Sequence, residues 1–171
     1  MLENFERVNL DWIRENIDYS TNSFTDKNGI YIVEIDMPED VAYTHNIKAF
    51  GIPRRIAAYN PNDMRKFKVD PESFKIKQND EGEQGFIGYL DFYKEQAGDQ
   101  LNSNVGFTYL YPDYRGNGLS REMTDYLEII TPPGSVLNVG YAPDLKIHYM
   151  SKQWNDLHPG RVEYTNKVDG I

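Results

Sequence analysis

Arg115-Gly116-Asn117-Gly118-Leu119-Ser120 decides the reading of this 171-residue chain. An apolar run with Val105, Phe107 and Leu110 precedes it. Behind it, Leu119, Met123, Tyr126, Leu127 and Ile130 recur at helical spacing. Glycine lacks the Cβ that blocks close backbone approach and accepts dihedrals that other residues avoid. A strand, a glycine turn and a helix N-terminus in succession leave unpaired backbone N–H groups aimed at one point, which suits a phosphate.

Outward from this stretch, Thr131-Pro132-Pro133-Gly134 stops the helix. Val136 to Tyr141 predicts a strand, Asp144 can cap a helix running to about Trp154, and Arg161 to Thr165 predicts a last strand. Upstream, Phe86–Tyr93 and Val105–Tyr111 predict an antiparallel hairpin closed by a long polar connection, Ala97–Asn104. Gln78 to Gly85 reads as a polar turn, and Gly29–Ile35 as a strand rich in β-branched and aromatic residues. Leu2, Phe5, Trp12, Ile13 and Ile17 share one helical face, predicting a first helix over residues 3–17. Pro38, Pro53, Pro61 and Pro71 predict irregular structure between these, with a short strand near Arg55–Tyr59.

The length suits one domain spanning residues 1–171. The chain carries 18 basic and 27 acidic residues, a formal charge of −9, which disfavours nucleic-acid binding and favours a cationic substrate. Residues 54–77 run against that trend, with Arg54, Arg55, Arg65, Lys66, Lys68, Lys75 and Lys77; they read as a solvated stretch or a contact for an acidic partner. No apolar run approaches the roughly 20 residues of a membrane span, so no membrane partner is expected. No signal-peptide pattern opens the chain, and a cytoplasmic location is the expectation. The absence of cysteine excludes disulfides, thiolate metal sites and an acyl-cysteine intermediate. His45, His148 and His158 do not form a metal cluster by spacing. A homodimer is compatible with the sequence, which leaves the oligomeric state open.

Three phosphate loops fit a glycine turn before a helix. A nucleotide-hydrolysing loop needs Gly-Lys-Ser/Thr, and here Gly118 is followed by Leu119 and Ser120. A dinucleotide loop needs a third glycine where Arg121 stands. The pattern Arg-x-x-Gly-x-Gly/Ala is met by Arg115, Gly118 and Ser120 with one small-for-small change. On these residues, and on Tyr111-Pro112-Asp113-Tyr114 before them, the chain from about residue 84 to 165 resembles the GNAT superfamily of acyl-CoA-dependent N-acyltransferases. The resemblance implies an α/β (α+β) fold with a mixed, mostly antiparallel central sheet flanked by helices. Residues 81–171 would form the acyl-CoA-binding core and residues 1–80, which match no usual opening of the family, the acceptor side.

It also implies acetyl-CoA as co-substrate. The backbone N–H groups of Arg115, Gly116, Asn117, Gly118, Leu119 and Ser120 would hold the diphosphate, and main-chain groups near Leu110 and Tyr111 would pair with the pantetheine arm. His148-Tyr149-Met150-Ser151-Lys152-Gln153-Trp154 resembles the family's segment that brings a tyrosine to the cofactor sulfur, which makes Tyr149 a candidate donor to the leaving thiolate. Gln153-Trp154 stands where the family has Gly-Phe, and Ala142 where it has Asn. A phenol of pKa about 10 is a weaker acid than a thiol of about 8.5, so Tyr149 would stabilise sulfur charge by a hydrogen bond rather than by full transfer.

An amine of pKa about 10.4 must lose a proton before it attacks, at a cost of about 4 kcal/mol at neutral pH. Residues 104–111 contain no carboxylate, so Asp91 and Glu95 become the candidate bases, with Glu34 more remote. The splaying of 105–111 from 136–141 that the resemblance implies would free a backbone N–H for the developing oxyanion. The acceptor is a small-molecule or protein amine. The alternative is a binding or assembly module of the same fold without catalysis, favoured by the unassigned first 80 residues and the carboxylate-free strand.

Overall fold

The computed structural model describes residues 4–44, 48, 51–140 and 162–165. Two helices cover one face of a seven-stranded sheet, and a small three-stranded sheet covers the other. The order in the large sheet is β1 (Ser23–Thr25), β2 (Tyr31–Asp36), β3 (Ile52–Tyr59), β7 (Phe86–Ala97), β8 (Gln100–Leu110), β9 (Leu137–Gly140) and β10 (Val162–Thr165). The first five run antiparallel to their neighbours, whereas β8–β9 and β9–β10 are parallel. This is the mixed, mostly antiparallel arrangement expected from the sequence. The small sheet is β5 (Ile76–Gln78), β4 (Lys66–Val69) and β6 (Glu83–Gln84).

Side chains alternate across a strand, so the two faces separate cleanly. Phe24, Ile32, Ile56, Ala58 and Leu90 face α1 (Leu10–Asn16) and α3 (Leu119–Ile130), where the ring of Phe24 lies 5.4 Å from that of Tyr126. Tyr89, Phe107 and Tyr109 face the small sheet, whose Phe67 packs 4.7 Å from the Tyr111 ring. A short helix, α2 (Glu39–Thr44), buries Val41 and Ala42 with Met37.

The first helix is shorter than the periodicity predicts. Asn9 accepts from Trp12 N–H and caps it, which starts α1 at Leu10. The connection expected over Ala97–Asn104 is instead strand: Ala97 pairs with Gln100 across a two-residue turn, and the hairpin runs on to Leu110. The segment expected to be irregular contains the eight-residue β3 and, from the small sheet, β4 and β5, and the turn expected over Gln78–Gly85 contains β6. β3 is central despite Arg54 and Arg55, because neighbouring strands supply their counter-ions. Arg54 meets Glu34 at 3.1 Å and also Asp36, and Arg55 makes two bonds, 2.7 and 3.0 Å, to its cross-strand partner Asp91.

The strongest departure from pattern is on α3. Its apolar stripe is buried as expected, but Glu122, Asp125 and Glu128 are buried too. Residues 5–8 lie across that side: Val8 N–H donates to Glu122 Oε1 at 3.0 Å, and Arg14 lies 3.6 Å from Glu128. Burial, then the adjacent Asp26 carboxylate, pushes the Glu122 pKa up to about 9, so at neutral pH it is a protonated acid that can donate to Asp26. Burial lifts Asp125 to about 7 against the pull of Arg121 and Arg7.

Two outcomes follow from these buried charges. Folded Glu122 keeps its proton to about pH 9, whereas an unfolded glutamate loses it near 4.5. The folded state therefore binds more protons in that window, and stability falls as pH rises through it. Asp125 acts in the same direction up to about 7. Urea unfolding should show stability declining from about pH 5 to about pH 9, by at most about 1.4 kcal/mol per pH unit for each proton, and Glu122→Gln should remove most of the decline. A flat wild-type profile contradicts the assignment. Second, Asp91→Ala strands a buried guanidinium and should cost about 3–5 kcal/mol in the same measurement; a loss below about 1 kcal/mol means the pair is solvated.

Candidate functional site

The glycine turn is held at its start by main-chain bonds and by Tyr114, Arg65 and Arg115. Pro112–Tyr114 forms one 3₁₀ turn, with Tyr114 N–H on Tyr111 C=O and Arg115 N–H on Pro112 C=O. The buried Tyr114 hydroxyl donates to Asp63 at 2.7 Å and accepts from Asn60 Nδ2 at 2.9 Å, tying the turn to the chain just past β3. The Arg65 guanidinium beside Asp63 holds that carboxyl far below the usual range, and also meets Asp113 at 3.0 Å. Arg115 folds back: its Nε donates to Leu110 C=O at 2.9 Å and its guanidinium lies 4.9 Å over the Tyr109 ring. Its side chain thus pins the turn to the end of β8.

Past this anchor the backbone changes hand twice. Gly116 has φ +85° and Gly118 φ +89°, the left-handed region that favours glycine. Gly118 caps α3 without a side-chain bond, and the first bond into the helix is Glu122 N–H to Gly118 C=O. Among the described residues, none of the six N–H groups from Gly116 to Arg121 donates an intramolecular hydrogen bond. They sit at the positive end of a twelve-residue helix dipole. A Cβ on Gly116 would meet nothing within 4 Å, whereas one on Gly118 would lie 2.8 Å from Cδ of Arg7. Leu119, buried at the head of α3, fixes the helix to the core. The arrangement can bind a doubly charged phosphate ester through amides alone.

β8 supplies the second part of the site. Among the described residues it pairs with β9 through Ser103–Val105 and Leu137–Val139, and β9 pairs with β10 through Gly140 and Thr165. Among the described residues, Gly106–Leu110 have no strand on that side. The parting begins at a bulge: Asp91 pairs with Phe107 and Phe92 with Val105, so Gly106 is the extra residue.

The sequence-derived candidates divide accordingly. Gly116, Asn117, Gly118, Leu119 and Ser120 form the amide cradle, while the N–H of Arg115 is already bonded to Pro112. Leu110 lies at the open edge. The main chain of Tyr111 does not: its N–H bonds Ile87 C=O and its C=O accepts from Tyr114. Its N–H is therefore turned to β7 and not to the open edge. Alternation along the strand instead directs the backbone groups of Thr108 and Leu110 away from β7.

Neither expected base is placed for the role. Asp91 is buried with both oxygens on Arg55, and Glu34 is held by Asn22, Arg54 and Lys94. Glu95 pairs across the hairpin with Asn102, four residues along β8 from the Gly106 bulge, or roughly 13 Å at strand rise; it accepts from Asn104 at 3.3 Å. Tyr149, with the whole segment His148–Trp154, lies outside the described residues. Two features escaped the sequence reading. Gly106 inside a strand is itself a bulge signal, but nothing local marks Arg7, which reaches Gly118 from 111 residues away.

Among the described residues there is no cluster of three or more His, Cys, Asp or Glu able to hold a metal, and no helix long and apolar enough to cross a membrane. No protein-family model matches the chain, and no curated protein sequence matches it. Among solved structures, it is similar to a ribosomal-protein-alanine N-acetyltransferase from Brucella melitensis biovar Abortus 2308, at 14% identity, over 73% of this chain and 89% of that one, with a TM-score of 0.42. It is also similar to a GCN5-related glucosamine N-acetyltransferase region in a fungal multi-domain GH3 beta-N-acetylglucosaminidase, at 11% identity and a TM-score of 0.40. There it covers 71% of this chain and 13% of the other. At such identity and overlap, neither similarity assigns an activity to this chain.

Proposed function

We propose that this chain is an acyl-CoA-dependent N-acyltransferase that moves an acetyl group from acetyl-CoA to a primary amine. The observation that carries the reading is the set of six undonated N–H groups at Gly116–Arg121 beside the open edge of β8. A diphosphate suits the amide cradle, and the amide-bearing arm of the cofactor suits a strand edge where main-chain groups of Thr108 and the N–H of Leu110 point away from β7. The negative charge of the chain supports a cationic acceptor, either a small molecule or a protein amine.

In the transfer, the neutral amine nitrogen forms a C–N bond to the thioester carbonyl carbon and the C–S bond breaks. The sulfur leaves as a thiolate, whose charge a hydrogen bond from Tyr149 would stabilise, and it takes up a proton from water. With Asp91 and Glu95 engaged elsewhere, the surplus proton of the amine passes to water at the open edge. A backbone N–H at the Gly106 bulge would donate to the oxyanion.

Titration calorimetry with acetyl-CoA should give saturable one-to-one binding; no heat at hundreds of micromolar would falsify the reading. Gly116→Asp should abolish that binding while the protein stays folded, because a side chain there meets no neighbour but brings a carboxylate to the cradle. The left-handed backbone makes the substitution cost only about 1–2 kcal/mol of stability. Tyr149→Phe should preserve acetyl-CoA affinity and lower turnover, and unchanged turnover removes the phenol from the mechanism.

One observation favours a second reading, a binding module without transfer: both expected bases are engaged in the fold. Acetyl-CoA binding with no acylated product across a broad amine panel would establish it.

A further inference from the structure

Residues 5–8 cross the head of α3 as a strap, and Phe5, Glu6 and Val8 are each fastened. Phe5 packs against the core and Val8 is buried in it. Val8 N–H donates to Glu122 Oε1 at 3.0 Å. Glu6 is held by both of its main-chain groups: its N–H donates to Asn28 Oδ1 at 2.8 Å, and its C=O accepts from Asn28 Nδ2 at 2.9 Å. Asn28 is fixed in turn, since its N–H and its Nδ2 both donate to the buried Asp26, at 2.8 and 3.3 Å. Asp26 lies beside Glu122. The contacts thus close a ring from the strap, through the turn between β1 and β2, to α3 and back.

Arg7 is the residue between these anchors. Fixing the main chain on both sides of it fixes where its side chain begins, so little backbone entropy is left to lose when it meets a ligand. Its aliphatic stem lies along Gly118: a Cβ built there would stand 2.8 Å from Cδ, 3.4 Å from Cγ and 3.8 Å from Cβ of Arg7. At Gly116 a Cβ would meet nothing within 4 Å. The strap therefore walls one side of the glycine turn and leaves the other side open. Covering Gly118 needs only the stem, and a methionine would do it as well. The charge at the end of the stem needs another reason.

Among the described residues the Arg7 guanidinium makes no hydrogen bond and no ion pair. The acid that feels its charge is Asp125, where Arg121 acts more strongly. Burial lifts that carboxyl to about 7, so at neutral pH two arginines act on one partly ionised acid. Glu122 is protonated, and Glu6 is paired with Lys27 at 3.3 Å. Positive charge is thus in surplus at the head of α3, in a chain whose formal charge is −9. The arginine of the loop itself is committed elsewhere, because Arg115 donates to Leu110 C=O and lies over the Tyr109 ring.

We propose that Arg7 is a phosphate-binding residue of the cofactor site, positioned by the strap, whose guanidinium joins the amides of Gly116–Arg121 on the diphosphate. The inference rests on the acyltransferase reading above and adds to it a side chain that the amide cradle lacks. Amides offer dipoles, whereas a guanidinium brings a full charge and two parallel N–H donors that match a phosphate. Residues 1–80, expected on the acceptor side, then reach the donor as well.

The test is calorimetric titration of acetyl-CoA into the full chain and its variants. Arg7→Met keeps a stem over Gly118 and removes the charge. It should weaken acetyl-CoA roughly ten- to hundredfold, the range for one charge-assisted hydrogen-bonding group, with Tm unchanged. Arg7→Lys should recover part of that loss. The advantage of wild type over Arg7→Met should shrink at high salt, which a packing effect would not do. Asn28→Ala unfastens Glu6 and should weaken binding less than Arg7→Met does. The double variant Arg7→Met/Asn28→Ala should bind as Arg7→Met does, because a strap without its arginine has nothing to position. Unchanged affinity in Arg7→Met overturns the inference, and so does tighter binding, which would make the strap an obstruction. Additive losses in the double variant overturn it too, since Asn28 then acts through the fold and not through Arg7. All three results leave the glycine-loop reading in place, whereas failure of wild type to bind acetyl-CoA removes both.

Discussion

β8 has neighbours that run in opposite senses, and the rest of the molecule follows from that constraint. On one side it is antiparallel to β7 from Gln100 to Leu110; on the other it is parallel to β9, through three residues among the described ones. A single extra residue, Gly106, bends it at the point where the parallel ladder stops. Half of its second edge is thereby left without a strand partner among the described residues. In a sheet buried on both faces such an edge is a liability unless something pairs with it. The same bend delivers Leu110 to the start of the glycine turn, so the open edge and the amide cradle are consecutive in the chain and adjacent in space.

The first 80 residues serve this centre from outside. β3 supplies Arg55 to Asp91, which fixes β7 beneath the bulge, and Asn60 and Asp63 hold Tyr114 at the head of the turn. The segment before α1 crosses the N-terminal part of α3, where Val8 bonds Glu122 and Arg7 covers Gly118. These long-range contacts explain why charged residues occupy positions that look solvated in sequence. Each one is matched by a partner from a strand or segment that the local pattern cannot see.

Legibility follows the same division. The helix Leu119–Ile130 was readable because its apolar spacing and its Pro132 stop are local, and so were β2 and the pairing of β7 with β8. The tip of that hairpin was not, since Gln96, Asp99, Gln100 and Asn102 imitate a loop where both strand faces meet water. β3 was half hidden by Pro53, Arg54 and Arg55, whose counter-ions lie on β2 and β7. The glycine turn was legible because its conformation depends on residue type, and Gly116 and Gly118 announce that directly. The base was not legible, because a carboxylate's role depends on its neighbours: Asp91 looks available in sequence and is tied to Arg55 in the fold.

An acidic chain that binds a diphosphate must favour it locally against its own field. At physiological ionic strength charges more than about 8 Å apart are largely screened, so the formal −9 weighs little against amides in direct contact. Charges within the first turns of α3 are a different matter. An ionised Glu122 would meet the helix dipole itself and repel a phosphate at the same end. Its burial beneath Val8 and beside Asp26 keeps it protonated through neutral pH. The dipole and the N–H groups of Gly116–Arg121 are then left for an anion from outside. The buried acid that costs the fold stability at high pH is thus what keeps the cradle positive at neutral pH.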